Sequence, residues 1–113
     1  MTNSVLDTIK TLIGPSASYE GFDTDITIHI NSSLAELAQL GVVPDGTKIT
    51  SSSTTWTDLI GENPKLEEIK SWLYFKVRIM FDPPSSSTIL NAFQEEIKRL
   101  EWRMFITADE ERR

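Results

Sequence analysis

The chain has 113 residues, no cysteine, and 17 acidic against 11 basic residues, a formal charge of −6. That length fits one domain with one core, the missing cysteines exclude disulfides, thiolate nucleophiles and cysteine-ligated zinc, and an acidic chain whose basic residues do not cluster is a poor match for a phosphate backbone. The opening MTNSVLDTIK lacks a basic region followed by an apolar core, and no apolar run approaches the roughly 20 residues that span a bilayer, so the expectation is a soluble protein made in a cytoplasm.

Ser4, with Asp7 three residues later, sets up a capping box for a first helix whose face carries Val5, Ile9, Leu12 and Ile13. Gly14-Pro15 stops it, and residues 15–22 read as a loop. A second helix starts near Asp23 to Asp25, whose carboxylates suit a helix N-terminus. Ile26, Ile30, Leu34, Leu37 and Leu40 recur at helical spacing, and Gly41 closes the segment. The alternation of Ile26, Ile28 and Ile30 is a strand signal, but the longer helical pattern outweighs it.

Pro44-Asp45-Gly46 is a turn, Lys48 to Thr50 a briefly extended piece, and TSSSTTWT at 50–57 a Ser/Thr-rich loop. Thr55 and Asp58 form a second capping-box pattern that opens one short turn, Trp56 to Ile60, ended by Gly61. Asn63 as cap and Pro64 at the first helical position start a third long helix, which runs to Phe81 and stops at Asp82-Pro83-Pro84. Ser85 to Thr88 offer caps for a last helix with Ile89, Phe93, Ile97, Leu100 and Met104 on one face. The fold expected is mainly α: a single domain over 1–113, a compact bundle of about four helices with a short turn or extended segment around 44–61 and a frayed, charged tail at 107–113.

Two features point outward. At about 100° per residue the helix before Phe81 has one stripe of Leu66, Ile69, Leu73, Val77 and Met80, and a second of Trp72, Phe75 and Ile79 on nearly the opposite side. A helix with two stripes is either central in its domain or meets a partner with its second face. On the last helix, Trp102 falls beside Asn91, Glu95, Lys98 and Arg99, away from the apolar stripe. A Trp flanked by Arg on a polar face has the composition of a binding hot spot, unless it tucks against the 50–60 loop or stacks on Arg99. Glu95 and Arg99 are spaced to pair. The candidate protein interface is therefore Trp72, Phe75, Ile79, Arg99 and Trp102.

Catalytic equipment is not expected. His29 is the single histidine and has no marked nucleophile beside it. Asp23 and Asp25 cap better than they chelate, because a hard-ion loop wants four or more oxygen ligands at defined spacing. There is no phosphate loop or dinucleotide fingerprint, and the adjacent pairs Glu67-Glu68 and Glu95-Glu96 diverge around their helices. Lys65, Lys70, Lys76 and Arg78 are interleaved with acids, as on a solvated face. No cofactor, metal or small-molecule substrate is expected. A small enzyme would need His29 or Asp23/Asp25 inside a pocket.

The stretches INSSLAELAQLGVV (30–43), TWTDLIG (55–61) and YFKVRIMFDPPSSSTILNAFQEEIKRLEWRM (74–104) resemble the small head–tail connector proteins of long-tailed bacteriophages, especially those of phages and prophages of Gram-positive bacteria. The resemblance covers nearly the whole chain and implies a structural protein of the virion neck, assembled in the host cytoplasm. It also implies a ring of subunits on the portal that docks the next neck or tail-completion protein while DNA passes through without sequence-specific contact. A ring needs two different faces per subunit. The alternative from the residues alone is a small helical adaptor or regulator that binds one protein as a monomer or dimer.

Overall fold

The computed structural model describes residues 4–111, with side chains described up to residue 106. Five helices follow one another: α1 (Val5–Ile13), α2 (Asp23–Gln39), α3 (Trp56–Ile60), α4 (Leu66–Phe81) and α5 (Ser87–Glu111). Two 3-10 turns, Pro15–Ala17 and Glu20–Phe22, link α1 to α2. The mainly helical fold is as expected, and α3 is the expected short turn. No strand forms among the described residues; one isolated antiparallel bridge joins Ser4 to Thr55. The expected frayed tail falls mostly outside the described side chains; the backbone is helical to Glu111, and 112–113 lie outside the described residues.

The helix ends follow from the sequence. Ser4 accepts a hydrogen bond from the Asp7 amide. Thr55 and Asp58 close a reciprocal capping box on α3. Ser86 caps α5, taking the Ile89 amide on its hydroxyl and the Leu90 amide on its carbonyl. After α2, Gly41 turns to φ 80°. Its amide then reaches the Ala38 carbonyl and that of Val42 reaches Leu37, satisfying two orphan acceptors at once. The helix expected at Asn63-Pro64 starts two residues later: Asn63 Oδ1 takes the Lys65 amide in a preceding turn, and α4 begins at Leu66.

α4 is the central helix. It packs on α1 and α2 with one face and on α5 with another. Ile69, Leu73 and Val77 are buried in the common core with Val5, Ile9, Ile26, Ile30, Leu34 and Leu37. The alternating isoleucines of α2 resolve as a helix should: Ile26 and Ile30 are buried, and Ile28 is exposed. Three apolar residues assigned to core stripes are instead exposed: Leu12, Met80 and Ile89. Each sits in the first or last turn of its helix. Leu6 takes Leu12's place in the core. The extended piece around Ile49 is held by a side chain rather than a strand: Asn31 accepts from the Ile49 amide (2.8 Å) and donates to its carbonyl (3.2 Å).

The start of α1 and the 50s loop are tied together by a short relay. The indole N–H of buried Trp56 donates to Thr8 Oγ1 (3.1 Å), and the Thr8 hydroxyl donates to the Ser4 carbonyl (2.8 Å). Ser4 Oγ in turn donates to the Ser52 carbonyl (2.6 Å). Every polar group in this relay has a partner, so the loop can close over the core without leaving an orphan donor.

Candidate protein interface

α4 decides what α5 can offer. Trp72 is fully buried between the two helices, and its indole N–H donates to Glu101 Oε2 (3.1 Å). Phe75 packs on Phe93 of α5 (ring centroids 4.9 Å apart), with Tyr74 against both. The second stripe of α4 is thus covered from within the chain. This corrects the outward placement of Trp72 and, in large part, of Phe75. The physical reason is plain: a helix sandwiched between α1/α2 and α5 must be apolar on both sides. Ile79 is half-buried but lines a surface groove between α4 and α5, about 690 Å³, with Lys76, Met80, Gln94, Glu95 and Lys98.

The basic residues of α4, and Lys65 just before it, also differ from a freely solvated face. Lys65 is buried, Lys70 lies over the Trp56 ring (5.5 Å), and Lys76 lies over Trp72 while pairing with Glu36 (3.0 Å). Arg78 spans Tyr74 Oη and the Asp82 carbonyl across the Phe93 ring. Their long stems cover apolar surface while the charged heads reach partners or water.

α5 uses Ile97, Leu100 and Met104 to bury one face against the core. Trp102 points the other way and is 64% exposed. It does not tuck against the 50–60 loop. Phe105, three residues on, is 42% exposed. It was absent from the sequence candidates although the wheel places it within about 60° of Trp102. Around them Lys98, Arg99 and Arg103 are exposed, whereas Glu101 is drawn inward to Trp72. Arg99 pairs with Glu96 rather than with Glu95 as expected, at 2.6 Å, and Lys98 approaches Glu95 at 3.9 Å. A residue three away on a helix is as reachable as one four away. The Arg99 hydrogen bond holds the Glu96 carboxyl below its ordinary range, and Glu96, with a smaller contribution from Glu68, raises the Arg99 guanidinium.

The other sequence candidates lie elsewhere. Asp23 is engaged by Lys10 in an ion pair, Asp25 is exposed, and His29 is half-buried on α2. Among the described residues no group of three or more His, Asp or Glu side chains is placed to hold a metal ion, and no helix is long and apolar enough to cross a membrane.

A helical domain that completes its core still presents Trp, Phe and Arg, residue types frequent at binding hot spots, on the outer face of its longest helix. Residues 5–111 match the family described as phage connector protein, and the chain belongs to that family. Searches among curated proteins and among solved structures gave no match.

Proposed function

We propose that the protein is a structural component of the virion neck of a long-tailed phage, of the type found in phages of Gram-positive bacteria. In this reading it is made in the host cytoplasm, assembles as a ring on the portal after DNA packaging, and presents a docking surface to the next neck or tail-completion protein. Membership of the connector family over nearly the whole chain supports this. The observation that carries it from the molecule itself is the Trp102–Phe105 face, which is exposed although α5 has already built its share of the core. Arg99 belongs to the same face, and Ile79 with the α4–α5 groove is a second contact area. Trp72 and Phe75 act only by shaping α4 and α5 from inside.

The experiment is deletion of the gene from the phage that encodes it. The expected result is DNA-filled heads and free tails that do not join, with joining restored by the purified protein. Normal virions from the deletion mutant would overturn the proposal.

A further inference from the structure

We propose that Asp45-Gly46 is a site of spontaneous covalent modification, at which the folded chain rearranges through a succinimide to isoaspartate.

The two residues form the tip of the turn between α2 and the extended piece that carries Ile49. Pro44, Asp45 and Gly46 are all exposed. Thr47 closes the turn, its amide (3.3 Å) and its hydroxyl (2.7 Å) both donating to the Pro44 carbonyl. Neither the Asp45 carboxylate nor the Gly46 amide has a hydrogen-bond partner among the described residues. Gly46, at φ 85°, carries no side chain, and even a Cβ built there would meet nothing within 4 Å. The Gly46 nitrogen is therefore open to the carboxyl group of its neighbour, and an exposed loop tip has the freedom to rotate the two together.

In the first step the Gly46 nitrogen attacks Asp45 Cγ. A new C–N bond forms, the nitrogen gives up its proton, and the hydroxyl of the protonated carboxyl group leaves with it as water, closing an imide ring. Water then reopens the ring at either carbonyl. Attack at Cγ restores aspartate. Attack at the main-chain carbonyl carbon breaks its bond to the Gly46 nitrogen, so that the chain now runs through Cβ and Cγ and the former main-chain carbonyl becomes the free carboxylate. One water leaves and one returns, and nothing is oxidised or reduced.

Among the aspartates with described side chains, Asp45 alone combines these features. Asp7, Asp23, Asp25 and Asp58 are held in helices and are followed by Thr8, Thr24, Ile26 and Leu59, whose side chains crowd the attacking nitrogen. Asp82 precedes Pro83, which has no N–H to lose. The rearrangement lengthens the backbone path between buried Val43 and buried Ile49 by one carbon, in a stretch where 44–46 bury nothing, so the helical core is left intact.

The test uses the purified full-length protein, aged at neutral pH both folded and unfolded in urea, beside Asp45→Glu, whose longer side chain would have to close a larger ring. Isoaspartate is read with an isoaspartate-specific carboxyl methyltransferase and a labelled methyl donor, and is located by peptide mapping. The expected result is methyl acceptance that rises with time in the folded protein, maps to the peptide holding Asp45, and is lost in Asp45→Glu, with an unchanged circular dichroism spectrum. Absence of acceptance in that peptide from the folded chain, whether or not the unfolded chain gives it, would overturn the proposal, as would equal acceptance in Asp45→Glu. No head or portal enters the experiment, so its outcome is separate from that of the neck reading.

Discussion

Trp72 and Glu101 meet across the α4–α5 interface, the buried indole N–H donating to a carboxylate at 3.1 Å. The bond acts with the buried Ile97, Leu100 and Met104 face of α5, which leaves Trp102, the next residue, pointing outward. Removing the acceptor leaves a buried donor unpaired. Glu101→Ala is expected to destabilise the fold by about 1–3 kcal/mol in chemical denaturation, and Glu101→Gln, which keeps an acceptor oxygen, by less.

Trp72 and Trp102 separate cleanly by experiment. Trp72→Ala removes a fully buried ring and is expected to cost about 3–5 kcal/mol. Trp102→Ala, at an exposed position, is expected to change stability by no more than about 0.5 kcal/mol. Equilibrium unfolding of the two variants side by side checks the contrast. A large loss of stability in Trp102→Ala would place that side chain in the core.

Ser33 carries a buried hydroxyl without a hydrogen-bond partner on the inner face of α2. Ser33→Ala removes that desolvated group and improves helix propensity. It is expected to stabilise the protein by up to about 1 kcal/mol, seen as a higher denaturation midpoint with an unchanged slope. A loss of stability would show that the hydroxyl has a partner.

The wheel arithmetic made much of this arrangement legible. It placed Trp102 opposite Ile97, Leu100 and Met104, where the structure has it. The local signals at Ser4, Thr55/Asp58 and Gly41 were equally readable, because a cap is decided within a few residues. What a wheel cannot give is the neighbour. The same periodicity that describes an outward stripe describes a stripe covered by another helix, so Trp72 and Phe75 were misplaced until α5 was seen to lie on them. Leu12, Met80 and Ile89 fail in the converse direction: their spacing groups them with the core stripes, yet in the first or last turn of their helices they are exposed. Phe105 carries the same wheel signal as Trp102, lying within about 60° of it on the same side of α5.

The Glu96–Arg99 pair has a pH signature. Its hydrogen bond holds the folded-state Glu96 carboxyl below its ordinary 4.5, so its contribution is present above that value and is lost as pH falls through the lowered one. Because the pair lies at the surface, solvent and salt screen it. In thermal melts across the acid range, Glu96→Gln is expected to flatten a small part of the acid dependence at low salt and to behave like wild type at high salt. A difference that persists at high salt would indicate a role other than this pair.

The central claim, that the protein works as a multi-copy connector on the portal, is tested most directly by counting copies bound to purified DNA-filled heads that carry a portal but lack this protein. Quantitative co-sedimentation is expected to saturate at a fixed number of copies per head well above two, since a closed ring of identical head-to-tail contacts needs several subunits. Saturation at one or two copies, or no binding by a folded chain, would contradict the account and favour a small adaptor with a single partner.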